Sequence, residues 1–127
     1  MSGRTKASVL VVDDDVEFLG HVMNYLGDEG FDVAQASDGI DAVSYLYGST
    51  PPDVVLVDLM MPRMNGIELI EQIRSDPGLA RVGVIAMGGT YPMLDDARRA
   101  GANEVLRKPI DPVVLLRTLL SHMTPPT

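Results

Sequence analysis

Two short apolar runs end abruptly in acid, and they narrow what this chain can fold into. Val9-Leu10-Val11-Val12 gives way to Asp13-Asp14-Asp15, and Val54-Val55-Leu56-Val57 gives way to Asp58. Unbroken runs of branched apolar residues read as strands covered on both faces. Both runs therefore belong inside a sheet, with their aspartates where the strands surface. After Asp58, Pro62 and the Asn65-Gly66 pair turn the chain, and a helical pattern begins near Ile67. In open α/β sheets the carboxyl ends of the strands are where ligands bind.

The remaining chain repeats the same rhythm. Phe18, Leu19, Val22, Met23 and Leu26 form a helical stripe that Gly27 and Gly30 close. A short strand is expected at 31–36. Ser37 or Asp38 then caps a helix carrying Ile40, Ala42, Val43 and Leu46, and Pro51-Pro52 forbids its continuation. The helix with Ile67, Leu69, Ile70 and Ile73 stops before Asp76-Pro77-Gly78. Residues 82–87 read as a fourth strand, followed by Gly88-Gly89-Thr90 as a loose hinge. Pro92 starts a helix that Gly101 caps. Residues 104–107 read as an edge strand, and Asp111-Pro112 opens a last helix with Val113, Leu116, Leu120 and Met123 on one stripe.

Five alternations of strand and helix predict an α/β fold: a doubly wound parallel sheet with right-handed crossovers. No repeat or linker divides the chain, so a single domain over residues 1–127 is expected, with an arm at 1–6 and a tail at 124–127. The absence of cysteine fits a reducing cytoplasm. No apolar run approaches membrane-spanning length, and the run after the basic N-terminus is too short for a signal peptide. A net charge of −8 argues against nucleic-acid binding. His21 and His122 are too isolated for a zinc site.

Parallel strands deliver their C-terminal residues to one rim. Here that rim gathers Asp13-Asp14-Asp15, Asp58, Gly88-Gly89-Thr90 and Lys108. Carboxylates at two central strand ends repel each other unless a cation lies between them. A few oxygen ligands suit Mg²⁺, which keeps places for water and phosphate oxygens. A lysine neutralises a phosphate as a point charge. A carboxylate nucleophile, a hard cation and a lysine are the parts an aspartyl phosphate needs.

With these motifs the sequence resembles the receiver domains of bacterial two-component response regulators. The resemblance runs over residues 9–123. It rests on Val11-Val12-Asp13-Asp14-Asp15, on Val57-Asp58-Leu59-Met60-Met61-Pro62 with Asn65-Gly66, and on Gly101-Ala102 followed by Lys108-Pro109. It implies a flavodoxin-like (βα)5 fold with strand order 2-1-3-4-5. It implies Asp58 as phosphoacceptor from a sensor histidine kinase or phosphotransfer protein. Asp14 would be a direct Mg²⁺ ligand, Asp13 a ligand through water, and the Met60 backbone carbonyl a further ligand. Lys108 would pair with the phosphoryl group, and Pro109 would follow a cis peptide bond. Slow autodephosphorylation by in-line water attack is the only catalysis implied, so the protein is expected to be regulatory rather than an enzyme. The face made by the fourth helix, fifth strand and fifth helix would meet a downstream protein, with the chain a monomer or a phosphorylation-linked dimer. Arg98, Arg99, Arg107 and Arg117 put positive charge near that face.

Two positions depart from the family pattern. A Ser or Thr is usual at the end of the fourth strand. Counting from Arg74-Ser75-Asp76-Pro77 places that position at Gly88; counting back from Gly101 places it at Ala86, because the intervening segment is about two residues short. Neither has a hydroxyl, and Thr90 is the nearby candidate to replace it. The second departure is Val105, where an aromatic is usual and valine has no comparable swing.

Three functions remain open on the sequence. The first is a phosphorylatable signalling domain, alone or as a fragment of a longer regulator. The second is a pseudo-receiver that binds a partner without phosphorylation. The third is a phosphohydrolase of the haloacid-dehalogenase kind, opposed by the short chain and by the order of Asp95-Asp96 and Lys108. An EF-hand reading of Asp13, Asp15 and Glu17 fails, since Phe18 stands where glycine is required.

Overall fold

The computed structural model describes residues 7–61 and 63–122. The expected arm at 1–6, tail at 124–127, Met123 of the last stripe and the turn at Pro62 lie outside the described residues. Five strands alternate with five helices: β1 (Ser8–Val12), α1 (Val16–Asp28), β2 (Asp32–Ala36), α2 (Gly39–Gly48), β3 (Val54–Asp58), α3 (Gly66–Ser75), β4 (Gly83–Gly88), α4 (Tyr91–Ala100), β5 (Glu104–Arg107) and α5 (Pro112–Ser121). A 3-10 turn, Pro77–Leu79, sits between α3 and β4. All ladders are parallel and the order is β2-β1-β3-β4-β5.

The period-two alternation of the central strands divides the core into two layers. Leu10, Val12, Val55, Val57, Val84 and Ala86 pack under α2, α3 and α4 with Leu46, Leu69, Ile70, Ile73 and Leu94. Val9, Val11, Val54, Leu56, Ile85 and Met87 pack under α1 and α5 with Leu19, Val22, Leu26, Leu115 and Leu119. Every residue of β3 is buried, which explains its unbroken apolar reading.

The helices start where short polar side chains cap them. Asp15 accepts from the Glu17 and Phe18 amides, Asp38 from Asp41, and Asp111 from Val113 and Val114. Asn65 and Glu68 form a reciprocal capping box at α3. Gly101 ends α4 at φ +123°.

Three expected boundaries shift by one residue. Phe31 donates its amide to Leu26 O at 3.0 Å and closes α1, so β2 begins at Asp32. The Val82 amide returns to Leu79 O at 3.1 Å, so β4 begins at Gly83. At its other end β4 runs through Gly88, which pairs with Arg107. The expected three-residue hinge is therefore only Gly89-Thr90; Gly88 is buried inside the ladder.

Candidate functional site

The three consecutive aspartates have three different environments. The Asp13 amide extends the sheet by donating to Ala36 O at 3.1 Å, which carries its side chain to full burial. Asp14 is exposed beside it. Asp15 is committed to the α1 cap. Asp58 ends β3 at 3% exposure. One carboxylate oxygen from each of Asp13, Asp14 and Asp58 can be chosen so that all lie within 4.8 Å of one another.

Lys108 completes the pocket from the end of β5. Its Nζ stands 3.1 Å from Asp58 Oδ1 and 3.4 Å from Asp13 Oδ2. The same ammonium lies 5.5 Å from the centre of the Phe18 ring, within cation–π range. The Lys108–Pro109 peptide bond is cis, and the Lys108 amide donates to Gly88 O at 2.9 Å.

These contacts set the electrostatics. Burial pushes the Asp13 carboxyl above its ordinary value; the Asp15 amide opposes this, the Asp58 charge adds to it, and Lys108 opposes it. Burial alone pulls the Lys108 ammonium down, but Asp13 and Asp58 outweigh it and raise Lys108 above its ordinary value. Asp58 Oδ1 is occupied by Lys108 and by the Met60 amide at 3.2 Å. Its Oδ2 receives no hydrogen bond among the described residues.

The donor set fits a hard divalent cation. Three carboxylates with few other ligands match the partial, oxygen-only coordination that Mg²⁺ takes. A cation there also relieves the repulsion that burial of Asp13 beside Asp58 creates.

The loop after Asp58 is held against the pocket at both ends. Gly66 lies so close to β3 that a Cβ would stand 2.5 Å from Asp58 O and 2.7 Å from Leu59 Cα. Only glycine fits there. Arg63 adopts φ +64°, the left-handed region that side chains resist. Its guanidinium reaches Asp38 Oδ2, with Nε at 2.6 Å, and so fastens this loop to the α2 cap.

The positions that depart from the family pattern lie on β4 and β5. The ladder assigns the end of β4 to Gly88: Ala86 lies opposite Val105, two residues inside. A Cβ at Gly88 would meet Leu59 Cδ1 and Met93 Sδ at 3.0 Å and Leu94 Cδ2 at 3.2 Å. Apolar side chains have closed over the place a hydroxyl would use. Thr90 is exposed, and its Oγ1 accepts from the Met93 amide at 3.4 Å as the α4 cap. Its oxygen serves the α4 cap, which leaves its O–H free to donate. Val105 is half-buried against the α2–α4 layer. Met60 is 65% exposed. His21 is exposed on α1.

Sequence reasoning missed the long-range contacts of four residues. Phe18 reads as an ordinary member of the α1 stripe, though its place five residues after Asp13 carries it back over the rim. Arg63 and Asp38 are 25 residues apart, and nothing local joins them. Arg107 reads as surface charge.

Comparison with known proteins agrees with this geometry. Residues 9–120 match the response regulator receiver domain family. The chain is 34% identical over 112 residues to the Regulator of RpoS of Escherichia coli K12, covering 88% of this chain and 33% of that protein. It is 36% identical over 115 residues to the DNA-binding response regulator MtrA of Mycobacterium tuberculosis H37Rv, covering 91% of this chain and 50% of that one. The chain thus spans a third to a half of these relatives. Among solved structures, chemotaxis protein CheY4 of Vibrio cholerae superposes with a TM-score of 0.86 at 28% identity, covering 94% of this chain and all of that one. The receiver domain of a DNA-binding response regulator from Colwellia psychrerythraea 34H gives 0.83 at 30%, covering 91% and 97%. The chain belongs to the receiver domains of two-component response regulators.

Proposed function

We propose that Asp58 Oδ2 accepts a phosphoryl group from a phosphohistidine on a sensor kinase or phosphotransfer protein. The observation that carries this is the division of labour on one carboxylate. Lys108 and the Met60 amide hold Oδ1, while Oδ2 receives no hydrogen bond among the described residues and the carboxylates of Asp13 and Asp14 lie close by. In the transfer the phosphorus–nitrogen bond breaks and the imidazole keeps its electron pair as the phosphorus–oxygen bond forms. Lys108 neutralises charge on the group transferred. Asp13, Asp14, Asp58 and the Met60 carbonyl would hold Mg²⁺, which supplies charge neutralisation between the phosphoryl oxygens and the carboxylates. Slow hydrolysis of the aspartyl phosphate would end the signal. Met60, exposed two residues after Asp58, would stand near the attacking water.

The output would pass to a protein partner through the α4–β5–α5 face, in the cytoplasm, with the chain monomeric or dimerising on phosphorylation. That face carries Tyr91, Val113 and Leu120 as exposed apolar groups among Arg98, Arg99, Arg107 and Arg117. Among the described residues no helix is long and apolar enough to cross a membrane.

A second reading, binding without phosphorylation, is favoured by one observation: Leu59, Met93 and Leu94 fill the space beside Gly88 that a phosphate-bonding hydroxyl would need. Beryllofluoride, which stands in for an acyl-bound phosphoryl group, separates the two. A ligand that binds only the folded state raises thermal stability with its concentration. A Mg²⁺-dependent rise that disappears in Asp58→Asn supports phosphorylation; no rise in either protein supports the second reading.

A further inference from the structure

Lys108 is linked to the outer surface through a short series of contacts. Its amide holds Gly88 O at 2.9 Å. Arg107, the residue before it, pairs with Gly88 across the ladder and points outward. Arg107 Nε approaches Gly89 O at 3.5 Å, and Nη1 approaches the Tyr91 hydroxyl at 3.3 Å. The guanidinium carbon lies 4.7 Å from the centre of the Tyr91 ring. Tyr91 is the first residue of α4 and is 64% exposed.

The connection these groups cover is anchored at its two ends, by the Lys108 amide on Gly88 O at 2.9 Å and the Leu94 amide on Thr90 O at 3.1 Å, but two contacts between them are long. The Arg107–Gly89 contact and the Met93–Thr90 cap, at 3.5 and 3.4 Å, are both at the outer limit for hydrogen bonds. No atom lies within 4 Å of the place a Gly89 Cβ would take. The space beside Gly89 is open, and small displacements there break the two long contacts.

We propose that Arg107 and Tyr91 form a latch across the β4–α4 connection, closed or open according to the occupancy of Asp58. This rests on the phosphoacceptor reading. Phosphorylation replaces the single charge of the Asp58 carboxylate with the nearly two charges of its acyl phosphate. Lys108, now shared between Asp58 and Asp13, turns towards the new group. Its amide carries Gly88 and Gly89 with it, and the Arg107 contact to Gly89, already at its limit, parts. Arg107 then releases Tyr91. The open latch presents a guanidinium and a free tyrosine face on one edge, a combination concentrated at the energetic centres of interfaces. It suits a partner that offers a carboxylate beside an apolar side chain.

The test incorporates 3-fluorotyrosine at the four tyrosines of the full chain and follows their fluorine resonances, with Tyr91→Phe assigning the one of interest. Beryllofluoride with Mg²⁺ is expected to shift the Tyr91 resonance. The shift is absent in Asp58→Asn. In Arg107→Ala the resonance lies, before any addition, near the position the wild type reaches with beryllofluoride. Thermal stability is read on the same samples. Stabilisation with an unmoved Tyr91 resonance overturns the latch and leaves the phosphoacceptor reading standing. Neither stabilisation nor shift overturns both. A shift of wild-type size in Arg107→Ala overturns the role of Arg107.

Discussion

Arg63 Nε donates to Asp38 Oδ2 at 2.6 Å, joining the loop after the candidate phosphoacceptor to the N-terminus of α2. Asp38 therefore serves two partners, since its Oδ1 also accepts the Asp41 amide at 2.9 Å. The Asp41 amide and the Arg63 guanidinium hold its carboxyl below the ordinary 3.8, against a smaller opposing effect of burial. A carboxylate with a lowered folded-state pKa binds fewer protons folded than unfolded, so its stabilisation is complete above the ordinary carboxylate range. It is lost as pH falls through the lowered value. Asp38→Asn keeps a capping oxygen and removes the charge. The wild type is expected to melt higher than Asp38→Asn near neutral pH, with the gap closing below about pH 4. A gap that stays constant through acid would show that the charge contributes nothing.

Asp13 and Asp14 should separate stability from metal binding. Asp13 is fully buried and its carboxyl is pushed up, so its charge is costly to the folded state. Asp13→Asn is expected to raise the melting temperature without Mg²⁺ and to weaken the Mg²⁺-dependent rise. Asp14 is exposed. Asp14→Asn, at the direct ligand, should weaken the Mg²⁺ response at least as much while changing the metal-free melting temperature little. Thermal melts at several Mg²⁺ concentrations measure both.

Gly88 should resist repair. Restoring a hydroxyl by Gly88→Ser drives a Cβ against Leu59, Met93 and Leu94. Overpacking of this kind costs about 1–3 kcal/mol. Trimming Met93 to Ala alongside should recover part of that loss, a coupling that a double-mutant cycle on denaturant midpoints measures. Additive effects would show that Met93 does not occupy the space.

Much of the fold was legible because parallel strands buried on both faces leave unbroken apolar runs, as at Val54–Asp58, and because caps and glycines punctuate the helices. The boundaries that slipped did so through single backbone hydrogen bonds, those of Phe31 and Val82, which carry no side-chain signature. The rim could be read as a set of residues but not as a geometry. Three adjacent aspartates look alike in sequence; a backbone bond to Ala36 buries the first, and a helix cap engages the third. Counting along a shortened segment left Gly88 and Ala86 open, and only the ladder partner, Arg107 or Val105, decides between them. The Arg63–Asp38 and Phe18–Lys108 contacts are long-range, and no local pattern encodes them.

The central claim is that Asp58 takes a phosphoryl group with the help of a divalent cation. The most direct measurement is the intact mass of the protein after incubation with phosphoramidate, whose phosphorus–nitrogen bond imitates phosphohistidine. The account predicts the gain of one phosphoryl group that requires Mg²⁺, is abolished by chelation and is absent in Asp58→Asn. An unchanged mass with Mg²⁺ present, or an equal gain in Asp58→Asn, would contradict it.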